Sequence, residues 1–199
     1  METGRRGTRR DYAPFCDSIV STLKPLPLVK PFAAIFSWDR ALIVQALVGL
    51  SDLLGGEPDI LSPEFPVIET KYYEREMGGG LFKTYASWPD LITPDRLVAI
   101  KLASMKLETR HSNEDRRMVN IDPGYVFSGG LVLSTGKFRG HRLHLGHGIW
   151  GELTLHFHQG EFQAFPWTYQ DYKTPEIQTW LIKMRKACMV RLRETGGEG

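Results

Sequence analysis

The sequence predicts an α+β domain: a mixed β-sheet with a C-terminal antiparallel meander, flanked by helices. Three observations carry this expectation. An apolar run at 29–36 leads into a helical pattern that stops at Gly55-Gly56. Two later segments, at 93–95 and 174–176, open with the same order of threonine, proline and acid ahead of helical apolar spacing. Between those segments, from His141 to Phe165, apolar residues recur at every second position around glycine-bearing turns.

Taken in order, residues 1–28 read as an extension, partly disordered. Arg5, Arg6, Arg9 and Arg10 crowd its start against Glu2, as in a solvated tail rather than a nucleic-acid arm. A short helical pattern covers 14–23, and Pro25 and Pro27 keep 24–28 extended. The α+β domain is expected over 29–194, with a disordered tail at 195–199. Val29–Phe36 is apolar apart from Lys30 and predicts a mostly buried strand. Pro31 has no N–H to donate, so it belongs at the strand's start or on an edge. Asp39, or Ser37 before it, caps a helix that runs to about Leu54, where glycine accepts the left-handed closing conformation. The turn-rich stretch 57–66 holds Pro58, Pro63 and Pro66. A strand is expected over Phe65–Tyr73, with Phe65, Val67 and Tyr73 on one face. Residues 74–80 form a loop. Its contiguous glycines lack the Gly-Lys-Ser/Thr ending of a P-loop, which favours a hinge over a phosphate cradle.

Thr93-Pro94-Asp95 begins a helix to about Arg110. Its apolar positions are Leu97, Ile100, Leu102, Met105 and Leu107; Lys101 and Lys106 fall on the more exposed sides, with Lys101 able to reach inward. After a polar loop at 111–115, Arg117–Ile121 reads as strand and Asp122-Pro123-Gly124 as a turn. Leu131, Val132 and Leu133 suggest a short helix or a buried segment. In the meander, Leu143 and Leu145 oppose Arg142 and His144, and Gly146-His147-Gly148 turns the chain. Leu153, Leu155 and Phe157 then oppose Glu152, Thr154, His156 and His158. Gln159-Gly160 permits a hairpin into 162–165. An aromatic loop at 166–172 precedes the last helix, whose stripe is Ile177, Trp180, Leu181, Met184, Ala187, Cys188 and Leu192.

Composition narrows the function classes. In 199 residues, 42% are apolar and 24% charged, the ordinary balance of a soluble domain, and the formal charge of +2 is too small to argue for nucleic acid. Cys16 and Cys188 offer neither a disulfide framework nor zinc spacing, and Cys188 reads as a small buried hydrophobe. The longest apolar stretch, Ala41–Leu50, is broken by Gln45 and is too short to span a bilayer. The expectation is a cytoplasmic protein without a membrane partner.

Asn-Ile-Asp-Pro-Gly-Tyr at 120–125, His-Arg-Leu-His-Leu-Gly-His-Gly-Ile-Trp at 141–150 and Pro-Trp-Thr-Tyr-Gln-Asp-Tyr at 166–172 together resemble a bacterial and archaeal family, domain-of-unknown-function family 4416. Tyr72-Tyr73-Glu74 with Glu76-Met77-Gly78 fits the same pattern, and the resemblance runs from about Val29 to Arg193. It implies domain limits, and no reaction or catalytic residue.

Candidate chemistry concentrates between Arg116 and Glu152, extending to the histidines at 156 and 158. The cationic Lys137, Arg139, Arg142 and Arg117 suit an anionic ligand, because the arginine fork matches phosphate and carboxylate oxygens. Asn120, Asp122, Lys137, Arg142, His144, Glu152 and Trp167 are the candidate ligand-binding residues. Glu152, His144 and His156 are candidate ligands for a divalent metal, since neutral imidazoles with a carboxylate suit one. His144, Glu152 and Asp122 could also move protons. Neither cysteine has a histidine near it in sequence, and no Gly-x-Ser-x-Gly elbow occurs, which disfavours a covalent hydrolase. The expectation is a pocket for a phosphorylated or nucleotide-like small molecule, with a divalent metal as a candidate companion. The alternative is a protein- or RNA-interaction module, in which Trp167, Tyr169 and Tyr172 stack on a base.

Overall fold

Asp39 separates the first strand from the first helix. Its carboxylate accepts the backbone N–H of Ala41 at 2.8 Å, satisfying one of the orphan donors of the helix start. In the computed structural model, which describes residues 24–67, 77, 79–112 and 116–196, strand β1 (Lys30–Ser37) precedes this cap and α1 (Arg40–Leu54) follows it. Gly55 closes α1 at φ 86°, a conformation that costs other residues steric strain. The expectations for 1–23, 68–76, 78, 113–115 and 197–199, including the N-terminal helix and most of the strand to Tyr73, lie outside the described residues.

The remaining strands are β2 (Ile60–Leu61), β3 (Phe65–Pro66), β4 (Phe82–Ser87), β5 (Val119–Phe127), β6 (Gly130–Thr135), β7 (Leu143–Gly146), β8 (Ile149–His158) and β9 (Glu161–Ala164). Helix α2 spans Arg96–Arg110 and α3 spans Pro175–Glu194, with a single 3-10 turn at Asp171–Lys173 before it. The described strands form one sheet in the order β2-β4-β1-β5-β6-β8-β7. β3 pairs with β4, and β9 with β8. Every pairing is antiparallel, so the α+β architecture holds, while the expected mixed sheet is antiparallel throughout; the C-terminal hairpins form, but in place of a simple meander β6 pairs with β8, whose other edge carries β7 and β9.

Both faces of the sheet are covered. Ala33 and Ile35 of β1 pack with Ile43, Ala46 and Leu50 of α1 and Ile100 of α2. Phe32 and Ala34, pointing the other way, pack with Leu181 and Met184 of α3. A strand buried on both faces reads as a continuous apolar run, as 29–36 does. Pro31 falls at the second position of β1, consistent with its expected place at a strand's start.

Three local expectations are corrected. Asp122-Pro123-Gly124 is no turn but the middle of β5, where Pro123 pairs with Ala33 and Gly124 with Phe32. The glycine serves close approach: a Cβ there would meet Val132 O at 2.3 Å and the Phe32 ring at 2.8 Å. Of the two forms expected at Leu131–Leu133, the helix is wrong and the buried segment is right: the residues lie in strand β6, with Leu131 and Leu133 buried. In β8 the strict alternation breaks, because Leu131 pairs with Leu155 and Val132 with Leu153, leaving Thr154 as the extra residue of a bulge. Thr154 and Leu155 are therefore both buried, while Leu153 and His156 are exposed. Strand β4 carried no expectation. Phe82-Lys-Thr-Tyr-Ala-Ser mixes polar and apolar residues on both faces, so no period stands out although the strand is almost wholly buried.

Candidate functional site

The site begins with a gap in the sheet. β5 runs from Val119, but its ladder with β6 starts only at Gly124, opposite Leu133. Pro123 has no N–H to extend the ladder, and its C=O accepts the Ser134 hydroxyl at 2.8 Å instead of a strand amide. Beyond this point the edge of β5 needs other partners, and α2 supplies them. Glu108 Oε1 accepts the Ile121 N–H at 2.6 Å, and Lys101 Nζ donates to Ile121 O at 2.7 Å. Two side chains of a helix stand where a neighbouring strand would, which explains why the inward face of α2 carries Lys101, Ser104 and Glu108. Of the helix's expected apolar stripe, Leu97 and Ile100 are buried and Met105 is exposed.

A cavity of about 310 Å³ opens in this gap. β5 contributes Asn120 and Asp122. Asn120 Nδ2 donates to Asp122 Oδ2 at 2.7 Å, and Lys101 Nζ lies 3.4 Å from Asp122 Oδ1. The opposite wall is Glu152 of β8, its side chain only 2% exposed. Arg142 Nε donates to Glu152 Oε2 at 2.8 Å, and His141 Nε2 lies 2.9 Å from the same oxygen. Arg142 also donates to Lys137 O at 2.8 Å and to the Tyr169 hydroxyl at 3.1 Å. One arginine fork thus ties together the strand, the loop before β7 and the aromatic loop. Lys83 of β4 closes the inner end and pairs with Asp171, which also accepts the Tyr85 hydroxyl at 2.9 Å.

Among the described lining residues, five side chains are cationic and three are carboxyls. Burial pushes Glu108 above the ordinary carboxyl range, against the opposing pull of Lys101, the Ile121 N–H and Arg117; Asp122 adds to the rise. Burial also raises the Tyr169 and Tyr172 phenols, so both remain neutral hydrogen-bonding groups at ordinary pH. The arrangement offers cationic donors, acceptor oxygens at Asp122 and the hydroxyl of Tyr169 to one space.

Of the candidates expected from sequence, Asn120, Asp122, Lys137, Arg142 and Glu152 line this cavity. His144 does not; it is exposed on β7 with its ring centroid 5.0 Å from that of Trp150. Trp167 stays outside, yet stacks on His141 at 5.0 Å, on Phe165 at 4.8 Å, and donates to Leu153 O. The metal set is dispersed. His156 stacks on His158, Glu152 is held by Arg142 and His141, and among the described residues no three His, Cys, Asp or Glu side chains gather closely enough to hold a metal ion. The bulge at Thr154 is the cause, since it turns His156 away from the side of Glu152. Lys83, Lys101 and Glu108 line the cavity without having been singled out as site residues, and Tyr169 and Tyr172, expected from sequence only as base-stacking groups of the alternative reading, line it as well. The only signal for Lys101 was its ability to reach inward, and Lys83 lay in the unassigned strand.

Among the described residues no helix is long and apolar enough to cross a membrane. No curated protein and no solved structure matches the chain. A family model does match, over residues 27–187, and it spans the gap in the sheet, both walls of the cavity and the aromatic loop. The chain therefore belongs to the family described as Domain of unknown function (DUF4416).

Proposed function

We propose that the protein binds an anionic small molecule, phosphorylated or nucleotide-like, in the cavity between β5 and β6. The observation that carries this is the surplus of cationic over acidic side chains around one partly enclosed space. These cations already have partners, so they form a preset field rather than mobile charges. Were a divalent cation to accompany the ligand, Asp122 would be the residue to hold it, and the cation would offset the ligand's negative charge. Free, buried Cys188 agrees with a reducing, cytoplasmic setting.

Titration calorimetry with inorganic phosphate and pyrophosphate at low salt tests the reading. Saturable binding is expected, weakened on the order of tenfold by Lys137→Ala, the loss of about one charge-assisted hydrogen bond. Absence of heat with both anions at millimolar concentration overturns it.

A second reading, a docking module for protein or RNA, is favoured by the apolar edge of the C-terminal hairpins, where Leu143 is 76% and Phe138 67% exposed. RNA is the weaker half of that reading. The Trp167 indole is already stacked on two rings and hydrogen-bonded through its N–H, leaving less of it for a base.

A further inference from the structure

Tyr172 sits in the 3-10 turn ahead of α3 and is 2% exposed. Its ring meets Tyr85 edge-on, with centroids 5.6 Å apart. Its hydroxyl is buried and has no hydrogen-bond partner among the described residues. Such a group is rare in a native protein, because leaving it unpaired costs about 1–3 kcal/mol. After burial, the groups that hold the phenol proton are Asp171, Asp122, Tyr169 and Glu152, and the last three all line the cavity. Tyr172 is itself a lining residue of the cavity while its ring is packed in the core.

Asp122 faces the same space with unused acceptor capacity. Asn120 takes one of its oxygens, Lys101 approaches the other at 3.4 Å, and its side chain is 32% exposed. A bare phosphate would use the cations and accept the Tyr172 O–H, but it leaves Asp122 unanswered, because a carboxylate repels phosphate. Hydroxyl groups answer both, donating to Asp122 and accepting from Tyr172. The volume, about 310 Å³, is at the small end for ligand sites and suits a compact metabolite rather than a dinucleotide. The nearest aromatic stack, Phe165–Trp167–His141, lies outside the cavity, which argues against a base-recognising slot.

Resting on the anion-binding reading above, we propose that the ligand is a phosphorylated polyol of the sugar-phosphate class, its hydroxyls bound by Asp122 and Tyr172 and its phosphate by the cationic wall. Calorimetry on the full chain would compare inorganic phosphate, a panel of three- to six-carbon sugar phosphates, the free sugars and a nucleoside monophosphate. At least one sugar phosphate is expected to bind tenfold or more tighter than phosphate. Tyr172→Phe should lower sugar-phosphate affinity and reduce that gain. The variant should remain as stable as the parent or become more so, since it deletes an unpartnered hydroxyl. Asp122→Asn provides the second arm and should also lower the gain. Equal affinity for phosphate and every sugar phosphate overturns this inference while the anion site stands. So does tighter binding of the nucleoside monophosphate, or a gain that survives both substitutions. No binding of any phosphate removes the underlying reading along with it.

Discussion

Glu152 shows how one buried carboxylate organises a wall. Arg142 and His141 both converge on its Oε2, and Arg142 is itself nearly buried, with 7% of its side chain exposed. Removing the acid strands a charge in the interior, which is far costlier than losing a surface pair. Glu152→Ala is expected to lower unfolding stability by about 3–5 kcal/mol in urea titrations. A loss below about 1 kcal/mol, the range of surface pairs, would show that water reaches Arg142. Glu108 has a different signature. Burial raises its folded-state carboxyl above the ordinary 4.5, so the folded protein keeps a proton that the unfolded chain has released. Its stabilising contribution is complete below 4.5 and is lost as pH rises through the folded value. Glu108→Gln should flatten stability against pH across that window, measured by chemical unfolding from pH 4 upward. An unchanged slope would mean the carboxyl titrates normally. The proximity of Asp122 and Glu152 to the cationic residues was legible in sequence as local density. That His141 rather than His144 holds Glu152 was not, because Arg142 and His141 precede β7 and escape its alternation.

At the scale of elements, β5 and β8 decide the site, and each contains one departure from regular pairing. In β5, Pro123 ends the ladder with β6 and Gly124 admits Val132 O and the Phe32 ring. Gly124→Ala must move backbone as well as a ring and is expected to cost about 1–3 kcal/mol. Gly136→Ala, where a Cβ would meet nothing within 4 Å, should change stability by less than about 0.5 kcal/mol. Comparing the two urea midpoints checks the close approach; equal shifts would contradict it. The helices were the most legible elements. The Asp39 cap, the Gly55 stop and the α3 stripe through Ile177, Leu181, Met184, Cys188 and Leu192 follow local rules. Helix α2 obeys the same period but turns Lys101 and Glu108 inward, because the β5 edge offers them a backbone amide and carbonyl.

For the whole molecule, the sheet is a frame held from both faces, and the cavity is the place where it fails to close. Tyr172 stands at that seam with its ring against buried Tyr85, and burial raises both phenols well above 10, with Asp171 contributing to each. The unfolded chain releases these protons first, so global stability should fall as pH climbs beyond 10. Unfolding free energy measured from pH 9 to 11 should decline less steeply in Tyr172→Phe than in the parent. A parallel decline would place the alkaline sensitivity elsewhere.

What depends on neighbours a few residues away was readable from the chain alone: the helix caps, the α3 stripe, the buried β1 run, the two C-terminal hairpins and the family. Tertiary structure alone decided the open seam between β5 and β6, the bulge that sends His156 outward, and the entry of Lys83, Lys101 and Tyr172 into one cavity. The physical reason is pairing. Caps and periods are satisfied within one segment, whereas a proline in mid-strand reads as a turn until the adjoining strand shows which hydrogen bonds it leaves unmade.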